Sequence, residues 1–199
     1  RLDVVAPGSG SIVSPTWVNG NGTTAYATSL YGTSYASPIV ASSVALIKSI
    51  RPSSTVDDIR ALIMADATKL SGMSGSFYST SYGHGMLNVS QATTVAGDLN
   101  ATGEVTPTLA QAGGAQSERS FSSSEALGSG CQISSGFWCS VWLRNTGTYN
   151  ERYLPYTKAD ISGSLGWSYN SSSLTSGNWE VRARDGSTVS DTPYNLFKK

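Results

Sequence analysis

Apolar side chains at Ala36, Ile39, Val40, Val44, Ala45, Leu46, Ile47 and Ile50 are separated, until Lys48, only by Pro38 and the small Ser37, Ala41, Ser42 and Ser43. A segment apolar or small on nearly every side predicts a helix buried all round. Arg51-Pro52-Ser53-Ser54 ends it, because the residue before a proline is driven out of helical conformation. A second helical pattern follows. Thr55 with Asp58 three residues on is a capping signal, and Val56, Ile59, Leu62, Ile63 and Ala67 recur at helical spacing, which predicts one core-facing stripe. Ahead of both helices, Leu2-Asp3-Val4-Val5-Ala6-Pro7-Gly8 predicts a short buried strand stopped by a Pro-Gly turn, and Thr24 to Leu30 predicts a second strand.

From about Leu99 the pattern changes. Residues 100 to 130 are rich in Ala, Gly, Ser, Thr and Gln with few large apolar groups, the composition of a linker or an irregular packing arm. Beyond them, Val141-Trp142-Leu143, Tyr153-Leu154-Pro155-Tyr156, Ser164 to Tyr169 and Asn178 to Arg184 are β-rich runs punctuated by Asn-Thr-Gly, Asn-Ser-Ser, Ser-Gly-Asn and Asp-Gly turns. Short strands at this spacing predict a small sandwich-like β domain over 131–199. The run Gly177-Asn178-Trp179-Glu180-Val181-Arg182-Ala183 resembles the closing strand of bacterial immunoglobulin-like modules. Cys131 and Cys139 flank a Gly-containing turn and, paired, would close a short hairpin; two free thiols are the alternative. With no second Cys/His pair their spacing does not suggest zinc. Four of the five tryptophans, Trp138, Trp142, Trp167 and Trp179, fall in this region, as core residues or as rings stacking on a sugar.

Charge narrows the partners. Thirteen basic and thirteen acidic residues cancel, so nothing electrostatic points to nucleic acid or a membrane surface. No apolar run approaches the roughly 18 residues of a spanning helix. Low charge with 21 glycines and abundant Ser and Thr fits an exported protein, secreted or cell-surface. No signal peptide stands at Arg1, as expected if an N-terminal part has been cleaved away or omitted.

The candidate chemistry sits at Gly32-Thr33-Ser34-Tyr35-Ala36-Ser37-Pro38, where a turn delivers a serine onto the start of the first helix. Gly32 has no side chain to obstruct a substrate backbone, and unpaired N–H groups at a helix start favour developing negative charge. Pro38 lacks the N–H that would bond the Ser34 carbonyl, which loosens the first turn. The same residues also make an ordinary cap, with Thr33 or Ser34 bonding a backbone N–H.

Three motifs in order, Leu2 to Gly8, Gly32 to Pro38 and Tyr82-Gly83-His84-Gly85-Met86-Leu87-Asn88-Val89, resemble the C-terminal half of the catalytic domain of subtilisin-like serine peptidases, over about residues 1 to 97. The resemblance implies an α/β fold: the C-terminal half of a doubly wound parallel sheet in residues 1–98, then a linker or arm over 99–130 and the accessory β domain. It implies that Ser34 is the nucleophile of a serine endopeptidase acting on polypeptides, that Gly32 and Thr33 lie against the substrate, and that Leu30 and Tyr35 line the leaving-group side. In that family the triad runs Asp, His, Ser, and the oxyanion Asn also precedes the Ser. Here the residues before Ser34 include Asp3, which belongs to the strand motif, and no histidine. The one histidine, His84, follows the serine and is read as a turn residue between two glycines. The expectation is therefore that a second polypeptide, the N-terminal chain of the same peptidase released by autoprocessing, supplies Asp, His and Asn. Asp3 stands where some relatives hold a weak cation, so a structural calcium ion is possible there; a strand-end carboxylate accepting backbone bonds is the alternative. An inactive scaffold, or a surface- or carbohydrate-binding module carried by the β domain, are the rival functions.

Overall fold

The computed structural model describes residues 1–10, 12–17, 24–105, 107–111, 118–121, 126–160, 163–170, 174–190 and 194–198. Two strands, β1 (Ile12–Trp17) and β2 (Thr24–Leu30), form an antiparallel hairpin. Three helices follow: α1 (Thr33–Ile50), α2 (Val56–Ala65) and α3 (Val89–Thr102). A 3-10 turn at Ser71–Met73 lies between α2 and α3, and the strands described after α3 are β3 (Thr108–Gln111), β4 (Glu118–Phe121), β5 (Ala126–Gln132), β6 (Trp138–Asn145), β7 (Glu151–Tyr153), β8 (Thr157–Lys158), β9 (Ser164–Asn170), β10 (Gly177–Asp185), β11 (Thr188–Val189) and β12 (Tyr194–Lys198).

Local chemistry explains the helix boundaries. Thr55 accepts from the Asp58 N–H at 3.2 Å while the Asp58 carboxylate accepts from the Thr55 N–H at 2.7 Å, so two orphan donors at the start of α2 are satisfied reciprocally. Asn88 does the same duty at α3, accepting from the Gln91 N–H at 3.0 Å. The segment Leu2–Ala6 lies against 83–87: the Val5 N–H donates to the Gly85 carbonyl, the Leu87 N–H to the Val5 carbonyl, and Val5 and Met86 form a parallel bridge. Gly83, at φ 58°, is obligatory there, since a side chain would run into the Asp3 carbonyl.

Seven strands make one sheet, in the order β4-β12-β10-β6-β7 with β11 beside β10 and β8 beside β6; β3-β5-β9 make another. The helices and the larger sheet share a core, in which Ile47, Leu62, Met64, Val95 and Leu99 meet Tyr153 and Tyr156, with Trp138 and Trp142 packed on it. A second cluster, around the fully buried Trp179, holds Val141, Leu143, Leu154, Leu174 and Val181. The Cys131–Cys139 disulfide ties β5 to β6.

Several expectations need correction. Helix α1 is not buried all round: Ser43 and Ile47 are buried, while Leu46 is 51% and Ile39 37% exposed, because nothing among the described residues covers that face. Val56, placed on the core stripe of α2, is 75% exposed. The arm over 99–130 is not irregular, since it ends α3 and supplies β3, β4 and β5; strands of Ala, Gly and Ser pair through backbone bonds that an apolar pattern does not reveal. The disulfide closes no hairpin, because β5 pairs with β3 and β9 whereas β6 pairs with β10, β7 and β8; it joins the two sheets. Residues 177–183 form no closing strand: β10 is interior to its sheet, between β12 and β6.

Candidate functional site

Ser34 is the second residue of α1 and is exposed. Its position is set by two glycines. The Gly32 N–H donates to the Gly8 carbonyl at 2.6 Å, which clamps the two ends of the hairpin segment together just before the helix. A Cβ on Gly8 would stand 3.0 Å from the Gly32 oxygen and 3.2 Å from the Ala36 side chain, so the approach depends on the missing side chain. Gly32 itself has φ 144° and ψ 154°, a conformation strained for any other residue, and from there the chain turns into the helix.

Gly32 is the cap residue of α1, so the first turn begins without a capping side chain. The ordinary-cap reading of Thr33 and Ser34 therefore fails: both lie inside the helix, past its cap residue Gly32. The Gly32 carbonyl accepts from the Tyr35 N–H at 3.0 Å. Pro38 falls within the helix and withholds the donor that would bond the Ser34 carbonyl. Thr33 is exposed, and Leu30 and Tyr35 are half-buried. Leu30 pairs with Ile12 across the hairpin, so Leu30, Gly32, Thr33, Ser34 and Tyr35 lie in one run from the hairpin base into the helix.

His84 is elsewhere in chemical terms. Its ring is fully buried, Nδ1 lies 3.1 Å from the Asp3 carbonyl, and the rings of Tyr78 and Tyr153 meet it edge-on at 5.3 and 5.7 Å. Burial holds its pKa down at about 3, so the ring is neutral across ordinary pH. It is more than a turn residue: it fills the space between the 1–6 segment and β7. Sealed from solvent, it has no access to a proton on the exposed Ser34. The neighbouring Lys69 ammonium donates to the His84 carbonyl at 2.6 Å and is itself lowered to about 8 by burial.

The Asp3 carboxylate does not suit a metal cation. Its oxygens accept from Arg1 at 3.2 Å and Arg60 at 3.5 Å, and Glu151 of β7 pairs with Arg1 at 2.9 Å and Arg60 at 3.8 Å. Two guanidinium groups between two carboxylates already supply the positive charge that a calcium ion would bring, and they would repel it. The carboxylate takes side-chain rather than backbone donors.

Sequence reasoning missed the groups that dock the β part on the helices. Arg184 of β10 pairs with Asp58 of α2, Glu104 after α3 pairs with Arg51 and accepts from the Ser187 N–H, and Asp66 accepts from the Tyr156 N–H. Asp58 is marked locally only as a cap, and nothing local marks the pairings, because Arg184 lies 126, Ser187 83 and Tyr156 90 positions from its partner. Also unforeseen is an apolar cavity of about 180 Å³ between Val4, Val40 and Val44 of α1, and Ile59, Ile63 and Met64 of α2.

Residues 1–85 match the sequence profile of the subtilase family, peptidase family S8. No curated protein matches the chain. One solved structure, the CsuC-CsuE chaperone-tip adhesion subunit pre-assembly complex from archaic chaperone-usher Csu pili of Acinetobacter baumannii, is similar at 15% identity over 47% of this chain and 51% of that one, with a TM-score of 0.28. The present chain thus spans about half the length of that structure, and the likeness is too slight to carry an argument.

Proposed function

We propose that residues 1–98 are the serine-bearing half of a subtilisin-type doubly wound parallel sheet, that Ser34 is the nucleophile of a serine endopeptidase, and that residues 131–199 are its accessory β domain. The observation that carries the reading is the exposed Ser34 in the first turn of α1, behind the Gly8–Gly32 clamp, within the segment that matches the subtilase profile. The Ser34 Oγ attacks a peptide carbonyl, and free N–H groups of the first helical turn, its own among them, face the oxyanion that forms. Gly32 and Thr33 flank the substrate backbone, and Leu30 and Tyr35 face the leaving group.

The proton must go to a base from outside this sequence, since its one histidine is buried and neutral. That base, its orienting Asp and the oxyanion Asn come in this reading from an N-terminal chain separated by autoprocessing. The exposed face of α1 at Ile39 and Leu46, and the cavity beside Val40 and Val44, fit an interface with that chain. An extracytoplasmic setting belongs to the same proposal and agrees with the disulfide. Among the described residues no helix is long and apolar enough to cross a membrane. Sugar binding through the tryptophans has less support, because Trp179 is fully buried and Trp138 and Trp142 pack on the core; the Trp167 side chain lies outside the described residues.

The test is a fluorophosphonate serine probe applied to protein purified from its source, with native mass measured alongside. The expected result is a second polypeptide in the complex and an adduct mapped to Ser34, lost in Ser34→Ala. A folded complex that leaves Ser34 unmodified would overturn the peptidase reading.

A further inference from the structure

The β1–β2 hairpin carries an uncharged, partly aromatic face that runs straight into the Ser34 turn. Its register contains a bulge: Ile12 pairs with Leu30 and Ser14 with Ala27, so Val13 alone stands opposite both Thr28 and Ser29. Ser29 takes φ 60°, a left-handed conformation that a serine adopts at some cost. One extra residue reverses the alternation of side chains beyond it. Tyr26 and Tyr31 are five positions apart and would face opposite ways on a regular strand. With the bulge between them both are exposed, Tyr26 at 67% and Tyr31 at 79%, whereas Ala27 and Leu30 are half-buried together. Val13, at 58%, and Pro15, the partner of Tyr26, extend the same exposed side on β1.

Three further facts bear on what this face meets. No charged residue occurs from Ser9 to Tyr31, so the face favours an uncharged partner. Strand β2 has β1 on one edge and, among the described residues, no strand on the other, which leaves backbone groups free for an extended chain. Finally, the face ends three residues before Ser34, and the Gly8–Gly32 bond fixes the hairpin base at that point.

Resting on the peptidase reading above, we infer that Tyr31 and Tyr26 set a preference for substrates whose segment after the scissile bond is extended, uncharged and apolar or aromatic. Leu30, which faces the leaving group in that reading, belongs to the strand that Tyr31 continues. Because of the bulge, Tyr26 to Leu30 advances only the three partner positions from Pro15 to Ile12, so with the step to Tyr31 the two tyrosines stand about 13 Å apart at about 3.3 Å per position. Tyr31 therefore serves substrate residues close to the cut, and Tyr26 those about four positions further on. Flat rings held by an ordered strand offer large contact area at small entropic cost.

The test uses the complete, probe-reactive complex and quenched fluorescent peptides with one acyl side and apolar leaving segments of two, four or six residues. In the unaltered complex kcat/KM is expected to rise about threefold to tenfold from two to six residues. Tyr26→Ser should abolish the gain between four and six residues, and Tyr31→Ser should lower cleavage at every length, with Ser34 labelling unchanged in both. Cleavage independent of leaving-segment length, or a length dependence that survives both substitutions, overturns this inference while leaving the peptidase reading intact. Absence of Ser34 labelling in the unaltered complex sinks both.

Discussion

Arg184 of β10 donates from Nη2 to the Oδ1 of Asp58 in α2 at 3.2 Å, with side chains only 8% and 4% exposed. The pair spans 126 positions of sequence and fixes the larger sheet on the helices. Removing one partner strands a buried charge, so Asp58→Ala is expected to cost about 3–5 kcal/mol, part of it from the lost cap on Thr55. Arg184→Met should cost less, about 1–3 kcal/mol, because the other Asp58 oxygen keeps the Thr55 N–H. Urea unfolding of both single variants and the double variant checks this. Losses that add within about 0.5 kcal/mol would show that the two residues do not act together.

The disulfide is a second tie, between the two sheets. Cys131 and Cys139 are eight positions apart, a short loop, so in the chain-entropy account their joint replacement by serine should cost about 2–3 kcal/mol. For a protein of this size that is a fall of about 5–10 °C in Tm. An equal Tm with and without reductant would contradict the structural role.

Asp66 accepts from the Tyr156 N–H with one oxygen and buries the other unpartnered. Burial, acting against that bond and the nearby Lys69, raises its pKa from 3.8 to about 7. A raised carboxylate binds its proton more tightly in the folded state, so its favourable contribution is complete below about pH 4. The contribution then declines as pH rises to about 7, by on the order of 4 kcal/mol, and is flat above. Asp66→Asn should remove this decline and leave the protein more stable than the unaltered chain above pH 7. Denaturant midpoints measured from pH 4 to 8 decide it; a variant with the same pH slope as its parent would refute the assignment.

Much of the helical part was legible in the sequence, because its signals are local. The Thr55–Asp58 capping box, the break at Arg51-Pro52 and the limits of β2 each depend on a few neighbouring residues. The Gly32-Thr33-Ser34 turn was legible for the same reason. Burial was not, because it depends on what covers a surface: Ile39 and Leu46 look like core in the sequence and are exposed here. Nor were the Ala-, Gly- and Ser-rich strands β3 and β5, whose pairing is a backbone property. The Ser29 bulge escaped because it rests on a register that only the paired strand defines.

His84 sets the acid side of the stability profile, in the opposite sense to Asp66. Its folded pKa of about 3 lies below the ordinary 6.5, so the unfolded chain takes up the proton first. The contribution of the neutral buried ring is therefore complete above about pH 6.5 and lost as pH falls toward 3. Between those limits Asp66, and Asp185 with its pKa raised by burial to about 6, pull the other way. Two slopes against one leave a net fall in stability of about one proton's worth, roughly 1.4 kcal/mol per pH unit, for the unaltered protein as pH rises from about 4 to 6. His84→Phe keeps a flat ring between Tyr78 and Tyr153 and removes the titration, at the cost of the contact with the Asp3 carbonyl. The variant should be less stable than its parent at pH 7 and should close much of that gap by pH 4, read as the difference in urea midpoints. A gap that stays constant over that range would show that the ring takes up its proton as readily in the folded chain as in the unfolded one.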